Sequence, residues 1–335
     1  MRLVHHSIAA LALLAFTGAQ AQQPIIVKFS HVVTDDTPKG KGALKFKELA
    51  EAKTKGQVKV EVYPNSQLYK DREELEALQL GAVQMLAPSV SKFGPLGVRK
   101  FEVFDLPYMF ADEASLEKVV EGPVGKGLFK LLEPKGITGL AYWFNGFKEF
   151  TANKPLKKLD DFKGMKIRIQ SSKVLEGEIK ALGAIPQVMA FSEVYTALQQ
   201  GVVDGEENTP SNKYTQKMHE VQKHMTMSDH GVVMYAVVVN KKFWDGLPPD
   251  IRKSLDEAMA ESTRYVWQIA KQENDDAVAK IKAAKTTEVY VLPPAEKAVW
   301  RKAMLPLYQQ YEDVVGKDTL QAIEKTVAQS AKTKK

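Results

Sequence analysis

The chain has 335 residues, 26% of them charged, a formal net charge of +6 and no cysteine. The absence of cysteine excludes thiol catalysis, cysteine-bound zinc and disulfide scaffolds, so a chain of this length depends on its hydrophobic core and has room for two lobes. The positive excess is modest and dispersed, which argues against a nucleic-acid-binding face and suits the capture of small anions.

The first residues have the pattern of a secretory signal peptide. Basic Met1-Arg2 precedes an uncharged apolar run at 8–16, and Ala19-Gln20-Ala21 has the small-x-small form of a cleavage site. The apolar run is shorter than the roughly 20 residues that span a bilayer. We therefore expect residues 1–21 to be removed near the Ala21–Gln22 bond, leaving an exported chain with 46 basic and 41 acidic residues and a net charge of +5.

Residues 25–87 alternate between strand and helix patterns. Alternating or continuous apolar residues predict strands at 25–30, 58–62 and 83–87. Helices are predicted at 43–52, after a turn at 37–40, and from Asp71, placed as in a capping box, to Leu80. The order β-α-β-α-β is typical of a doubly wound α/β domain.

Residues 89–147 are predicted to complete the first lobe. They comprise a loop and cleft wall at 89–110, helical segments between 113 and 132, and a strand at 137–143. Asn145-Gly146 is a turn signal, so we expect the chain to cross to a second lobe at residue 148.

The second lobe repeats the same pattern, with a helix at 173–182 and another at 193–200 capped by Ser192. Its predicted strands are 165–170, 185–189, 201–208, 223–227 and 234–240. We assign 22–147 and 240–270 to the first lobe, and 148–239 and 271–335 to the second.

No glycine or proline occurs between Asp250 and Val291, and the apolar residues there keep helical spacing. A helix of about 35 residues would be roughly 50 Å long and could lie across both lobes. Shorter helices are expected around Trp300 and at 320–331. Two such lobes, crossed more than once, favour a hinged binding protein whose ligand lies at the carboxyl ends of strands.

The strand at 165–170 carries a cation, Arg168, that needs a partner. An unpaired charge at the end of a buried strand would cost roughly several kcal/mol of desolvation. Either Glu207 or Glu178 forms an internal salt bridge with it, or a ligand carboxylate binds the planar guanidinium through two parallel hydrogen bonds. The residues alone leave both alternatives open.

Several segments, in this order and spacing, carry a resemblance to a known family. They are Phe29-Ser30-His31 with Thr37-Pro38-Lys39-Gly40, Ala87-Pro88-Ser89, Trp143 to Lys148, Gly164 to Gln170, Leu198 to Asn208, and Asn240 to Trp244. Over essentially its whole mature length, the chain resembles the solute-binding component of tripartite ATP-independent periplasmic (TRAP) transporters, particularly the C4-dicarboxylate-binding DctP type.

The resemblance implies a periplasmic, two-lobed α/β binding protein (class II-like) with its ligand in the interlobe cleft and a long helix along both lobes. It implies that Arg168 grips a substrate carboxylate and that Asn208 lines the same site. It further implies no catalysis, metal or cofactor, and transfer of the ligand to a small and a large membrane permease subunit. We expect a monomer that binds a small carboxylate, above all a C4-dicarboxylate such as succinate, malate or fumarate.

A second ligand carboxylate would need a second cation, for which Lys39 and Lys148 are the candidates. Many relatives have arginine at the position of Lys148, and lysine offers a point charge in place of a fork. The other candidate contacts are Ser89, Ser91, His31, Asn145, Trp143, Phe147, Tyr235 and His230. Each has a structural alternative: a surface lysine, an asparagine or serine that satisfies its own loop, or an aromatic or histidine packed in the core.

The sequence patterns that could indicate a catalytic site are incomplete, and we predict that the protein is not an enzyme. Ser228-Asp229-His230 lacks the Gly-x-Ser-x-Gly elbow of a hydrolase, and His219 and His224 lack a zinc-ligand context. Glu206 and Glu207 are adjacent in a strand and should point to opposite faces, unlike a glycosidase dyad. The alternatives that stay open are another carboxylate, such as a 2-oxo, sugar or aromatic acid, and an ABC-type or sensor-type binding protein.

Overall fold

The structure, a computed structural model, describes residues 23–333. Its strands are β1 (Ile25–Ser30), β2 (Val58–Tyr63), β3 (Met85–Leu86), β4 (Ile137–Phe147), β5 (Glu149–Ala152), β6 (Lys166–Ile169), β7 (Ile185–Val188), β8 (Gly205–Asn208), β9 (His224–Met227), β10 (Val232–Asn240) and β11 (Glu288–Val291). Its α-helices are α1 (Pro38–Lys53), α2 (Glu74–Gln79), α3 (Glu113–Glu121), α4 (Pro123–Lys130), α5 (Lys173–Ala181), α6 (Val194–Gln199), α7 (Pro210–Thr215), α8 (Met218–Val221), α9 (Lys241–Asp245), α10 (Pro249–Ala284), α11 (Pro294–Met304), α12 (Pro306–Gln310), α13 (Glu312–Val315) and α14 (Lys317–Thr333).

The first lobe is built on a sheet with the strand order β2-β1-β3-β10-β4. β1 is parallel to β2 and β3, whereas β10 runs antiparallel to β3 and β4. Apolar side chains of α1 and α10 pack on one face of this sheet, where Phe29, Phe46 and Val266 are completely buried. The carboxyl ends of β1 and β3 therefore meet at the same edge of the sheet.

The second lobe is built on a sheet with the order β11-β9-β5-β8-β6-β7. The chain passes from the first sheet to the second at Lys148, between β4 and β5. The long helix α10, with 36 residues, packs against α1 and β4 of the first lobe and against α7 of the second. The two-lobed α/β fold is confirmed, and none of the helices within residues 23–333 combines the length and apolar character needed to cross a membrane.

The return to the first lobe occurs earlier than predicted. β10 begins at Val232 and pairs with β4 along its length, so residues 232–239 belong to the first sheet and not to the second lobe. β10 is buried throughout because its alternate side chains pack into two different hydrophobic clusters, one on each face of the sheet.

The Asn145-Gly146 pair does not form the predicted turn. β4 continues through it to Phe147, with Gly146 at φ +138°, and the register slips so that Asn145 bulges out between the pairs Gly146–Val233 and Phe144–Met234. The partner strand β10 holds the chain extended where the local signal favoured a reversal.

Three local predictions differ from the structure. The segment 37–40 is the first turn of α1 and no separate turn, since the Thr37 hydroxyl accepts the Gly40 N–H at 3.0 Å and Pro38 suits the first helical position. α2 begins at Glu74 without a side-chain cap, and Asp71 binds elsewhere. α6 likewise begins without a cap from Ser192. The predicted signal peptide lies outside the described residues.

Candidate ligand-binding site

A narrow cavity of about 20 Å³ lies between the two lobes. Its lining residues are Val32, Val33, Lys92, Arg168, Gln170, Phe191, Asn208, Asn212, Val233 and Tyr235. Val32 and Val33 follow β1, Gln170 follows β6, and Asn208 is the last residue of β8, so the cavity lies near the carboxyl ends of parallel strands. Arg168, Asn208 and Tyr235 were predicted as site residues; Lys92, Gln170, Phe191 and Asn212 were not.

Arg168 projects from β6 and is 1% exposed. Its Nε and Nη2 atoms donate to the carbonyl oxygen of Met189 at 3.1 and 2.8 Å, and its guanidinium carbon lies 5.8 Å from the centre of the Phe191 ring. These contacts orient the guanidinium without neutralising it.

The two internal partners considered for Arg168 are engaged elsewhere. Glu207 forms an ion pair with Lys148 at 2.9 Å, and Glu178 faces His230 at 3.6 Å. Within residues 23–333, no carboxylate forms a salt bridge with Arg168. Arg168 therefore forms no direct ion pair in this part of the chain, although its charge is close enough to Asp71 to help lower the pKa of that carboxyl.

Asn208, Asn212 and Tyr235 form a connected polar wall. Asn208 Oδ1 accepts hydrogen bonds from the Thr209 N–H at 2.9 Å and from Asn212 Nδ2 at 2.8 Å. Asn212 Nδ2 also lies 3.2 Å from the Tyr235 hydroxyl, and burial raises the pKa of that hydroxyl, which keeps it neutral. Because Asn208 Oδ1 is occupied twice, the amide nitrogen of Asn208 is the group that it can offer to a ligand oxygen.

Lys92 is the second cation of the cavity wall. Its ammonium forms ion pairs with Asp71 and, at 3.5 Å, with Glu74, and its side chain is 6% exposed. Burial by itself would lower the pKa of Lys92, but the two carboxylates outweigh this effect and raise it. Burial raises the pKa of Glu74. In the sequence, Lys92 stands in a loop without periodicity, and only its place shortly after a buried strand could have indicated it.

Lys39 lies behind the cavity wall. It is 1% exposed, its ammonium donates to the Ala87 carbonyl at 3.0 Å, and it lies 3.8 Å from the centre of the Tyr235 ring. Burial, followed by repulsion from Lys92, lowers its pKa. Lys39 is thus a buried cation that supports Tyr235 and does not line the cavity.

Lys148 also lies outside the cavity lining. Burial opposes its charge, but Glu207, Asp105 and Glu178 together raise its pKa. Burial raises the pKa of Asp105 to about 6 and that of Glu178 well above its ordinary range. Lys148 and its carboxylates therefore form a buried charge cluster at the crossing between the lobes.

Ser89 and Ser91 contact this charge cluster and do not line the cavity. The Ser89 hydroxyl lies 3.2 Å from that of Ser91, which donates to Asp105 at 2.7 Å. Asn145 donates to the Thr209 hydroxyl at 2.7 Å. Ser91 and Asn145 thus bind protein groups far along the chain and not their own loop.

The remaining predicted contacts are packed in the interior or lie elsewhere. His31 is completely buried, and burial lowers its pKa to about 3, so its ring is neutral. Trp143 is buried in the first lobe and donates to the Thr263 hydroxyl at 2.9 Å. Phe147 packs edge-on against Phe144 with ring centres 5.6 Å apart. None of the three lines the cavity.

The residues considered for catalysis are not assembled for it. His230 stacks on Phe150 at 4.0 Å and lies 2.8 Å from the Ser228 hydroxyl, but both side chains are completely buried, while Asp229 pairs with Lys297. Glu206 pairs with Lys213, on the opposite face of β8 from Glu207. No group of three or more His, Asp or Glu side chains in the described part of the chain is placed to hold a metal ion.

Comparison with known proteins agrees with this architecture. A family model described as bacterial extracellular solute-binding protein, family 7 (DctP) matches residues 29–313. The C4-dicarboxylate-binding periplasmic protein DctP of Rhodobacter capsulatus is 60% identical over 329 residues, which make up 98% of this chain and 99% of that protein.

Solved structures give the same result. A TRAP periplasmic solute-binding protein of Shewanella oneidensis with bound succinate has a TM-score of 0.88 and 45% identity, covering 91% of this chain and 99% of that one. A TRAP solute-binding protein of Pseudomonas aeruginosa PAO1 with bound L-malate has a TM-score of 0.84 and 43% identity, covering 86% and 100%. The resemblance read from the sequence is confirmed, and the chain belongs to the DctP family of bacterial extracellular solute-binding proteins, family 7.

Proposed function

We propose that this protein is the periplasmic solute-binding component of a TRAP transporter and that it binds a C4-dicarboxylate. The observation that carries the proposal is Arg168, a buried guanidinium on the cavity wall that is held in place by a carbonyl oxygen and has no carboxylate partner within residues 23–333. A ligand carboxylate would supply the missing charge in the geometry that the planar fork favours.

Lys92 is our candidate for the second carboxylate. It shares the cavity with Arg168, whereas Lys39 and Lys148, the cations predicted from the sequence, lie outside its lining. Arg168, Lys92 and Lys39 face Asp71 and Glu74 in this region, so the cations outnumber the carboxylates. Burial raises the pKa of Glu74 and lowers the pKa of Lys39, so these two effects offset each other and the excess of one positive charge remains.

The relatives support a small dicarboxylate. The Shewanella oneidensis and Pseudomonas aeruginosa proteins bind succinate and L-malate, and both share over 40% of their residues with this chain. The cavity wall places the charged groups of Arg168 and Lys92 beside apolar side chains such as Val33 and Phe191, which suits a ligand with two charged ends and a short carbon chain.

The proposal includes the partners and the location that the family resemblance implies. The protein is exported after cleavage near Ala21, acts as a monomer, and passes its ligand unchanged to a small and a large membrane permease subunit. Mass spectrometry of the secreted chain should find Gln22 as its first residue. Succinate incubated with the protein should be recovered without chemical change.

Binding is tested by thermal shift and calorimetry with a series of organic acids. At a hundred times its Kd, succinate should add about 2.7 kcal/mol to the stability of the protein. Arg168→Lys should remove most of the affinity because the fork is lost, and Lys92→Met should weaken dicarboxylates more than monocarboxylates. Lys166→Met is the matched control, since Lys166 is exposed on the same strand.

A shift with sugars or cations but with no carboxylate would overturn the proposal. Tighter binding of a sugar acid or an aromatic acid than of succinate would retain the Arg168 clamp but refute the C4-dicarboxylate assignment. Unchanged affinity of Arg168→Lys would show that the arginine is structural.

A further inference from the structure

We infer that Asp71 is a positioning residue that links both cations of the ligand site to closure of the cleft. The inference rests on the proposed function, because it concerns the same cavity. It assigns a role to a carboxylate that the sequence pattern had placed in a helix cap and that touches no ligand-binding atom of Arg168.

The two oxygens of Asp71 bind groups from different lobes. Oδ1 pairs with the Lys92 ammonium, and Oδ2 accepts the backbone N–H of Phe191 at 2.7 Å. Asp71 lies just before α2, which packs on β3 and β10 of the first sheet, whereas Phe191 follows β7 of the second sheet. The carboxylate therefore bridges the cleft.

The same segment of the second lobe holds Arg168. Met189, two residues before Phe191, accepts both hydrogen bonds of the guanidinium, and the Phe191 ring lies beside it. Asp71 thus connects Lys92 on one lobe to the segment 189–191, which orients Arg168 on the other. A displacement of this segment from Asp71 moves the two cations relative to each other.

Asp71 is charged and nearly enclosed in this position. Its side chain is 8% exposed. Burial alone would raise the pKa of the carboxyl, but Lys92, Arg168 and the Phe191 amide outweigh this effect and lower it. A charge-assisted hydrogen bond shielded from water is stronger than its exposed equivalent.

Two other polar contacts, between residues 65–70 of the first lobe and residues 193–216 of the second, are exposed. Lys70, beside Asp71, pairs with Glu193 at 3.2 Å, with side chains 53% and 50% exposed. Gln216 donates to Asn65 at 3.4 Å, also in an exposed position. Exposed contacts of this kind contribute little, so Lys70 provides a matched control from the same two segments.

Apolar packing at the same place favours the closed arrangement. Val32 and Val33 of the first lobe pack in one cluster with Phe191 and Val194 of the second. In an open cleft Asp71 exchanges the Phe191 amide for water, while Lys92 loses its fixed distance from Arg168. A ligand that binds both cations and the Asp71 bridge then stabilise the same state, which raises the affinity of the ligand.

The test compares Asp71→Asn with wild type and with the control Lys70→Gln. Because the chain has no cysteine, Lys59→Cys on β2 and Lys180→Cys on α5 can carry spin labels on exposed positions of the two lobes. Calorimetry measures the Kd for succinate, and pulsed electron spin resonance measures the distance between the labels with and without saturating succinate.

For Asp71→Asn we expect a Kd for succinate about 10- to 100-fold higher, and a larger open population at saturating succinate. Lys70→Gln should stay within about threefold of wild type and close fully. Asp71→Glu keeps the charge beside Lys92 but misplaces the second oxygen, so it should fold and still close incompletely.

Normal affinity and normal closure of Asp71→Asn and Asp71→Glu would overturn the inference. So would a loss of affinity in Asp71→Asn with full closure, since Asp71 would then orient Lys92 alone. If Asp71→Asn does not fold, Asp71→Glu decides by the same distances. Failure of wild type to bind succinate would refute the proposed function, an outcome separate from any difference between the variants.

Discussion

The ion pair between Lys148 and Glu207 decides whether Lys148 is structural or binds the ligand. Both side chains are 1% exposed, and the atoms lie 2.9 Å apart at the crossing between the lobes. Glu207→Gln keeps the volume of the side chain and removes its charge. It leaves the Lys148 ammonium buried without its nearest counter-ion.

Breaking a buried ion pair on one side costs about 3–5 kcal/mol of folding free energy. Here the lower end of that range applies, because Glu178 and Asp105 also lie close enough to raise the pKa of Lys148. Burial and repulsion from Glu207 raise the pKa of Glu178, so loss of Glu207 would lower that pKa and favour ionised Glu178 as a replacement counter-ion. We expect Glu207→Gln to lose about 3 kcal/mol.

The double variant Lys148→Met/Glu207→Gln removes both charges together. Replacing a buried pair by uncharged groups is often nearly neutral, so we expect it to lie within about 1 kcal/mol of wild type. Urea unfolding of the wild type, both single variants and the double variant gives the coupling energy, which should reach about 2 kcal/mol. Calorimetry with succinate on the same proteins reports the role in binding.

Two results would refute this reasoning. If the double variant is as unstable as Glu207→Gln, the instability does not come from an unpaired Lys148. If the double variant is stable but its affinity for succinate falls about a hundredfold, Lys148 contacts the ligand, as the sequence-based prediction proposed, and the ion pair is secondary.

Two further changes test burial and packing. Burial raises the pKa of Asp105 from 3.8 in the unfolded chain to about 6 in the folded protein, so the contribution of Asp105 to stability is present below pH 4 and lost as the pH rises through 6. Asp105→Asn should therefore be more stable than wild type at pH 8, by at most about 3 kcal/mol. In urea unfolding this difference should vanish near pH 4. An equal difference at both pH values would contradict this. Gly42 on α1 lies so close to Val266 of α10 and to Trp143 that an added Cβ would overlap the Val266 side chain. Gly42→Ala should therefore lower stability by about 1–3 kcal/mol, whereas Gly127→Ala, with no neighbour near its Cβ, should be neutral or stabilising. Equal effects of the two substitutions would show that α10 moves to make room beside α1.

Periodic patterns predicted the parts of the fold that depend on which face of an element is buried. The alternation in 165–170 predicted the strand β6 with Ile167 and Ile169 on a buried face, and the absence of glycine and proline after Asp250 indicated the long helix α10. In both cases the spacing of the apolar residues shows which face of the element is buried, and burial of apolar side chains is the main contribution to the stability of the element. The short strand β11 was not predicted, because the signal for the end of α10 is absent from the sequence. α10 ends at Ala284, and the residue after it, Lys285, has a left-handed conformation that usually favours glycine.

Predictions from local sequence signals were wrong where a residue forms stronger contacts with a distant part of the chain than with its sequence neighbours. Asp71 stands three residues before Glu74, as in a capping box, but its carboxylate binds Lys92 and the Phe191 amide. Asn145-Gly146 has the composition of a turn, but pairing with β10 holds it extended as a bulge. Each of these sites lies at the boundary between the lobes, where contacts from far along the chain compete with local propensity.

The choice among the lysines shows what a sequence cannot supply. Lys39, Lys92 and Lys148 are all buried lysines near strand ends, and their side chains have identical chemistry. They differ in their partners: a carbonyl oxygen and an aromatic ring for Lys39, two carboxylates on the cavity wall for Lys92, and Glu207 away from the cavity for Lys148. A ligand-binding cation needs a position on the cavity and a charge that the protein leaves partly uncompensated, and both are properties of the pairing in three dimensions. Arg168 meets both conditions most fully, so the loss of affinity on its replacement should exceed that of any of the three lysines.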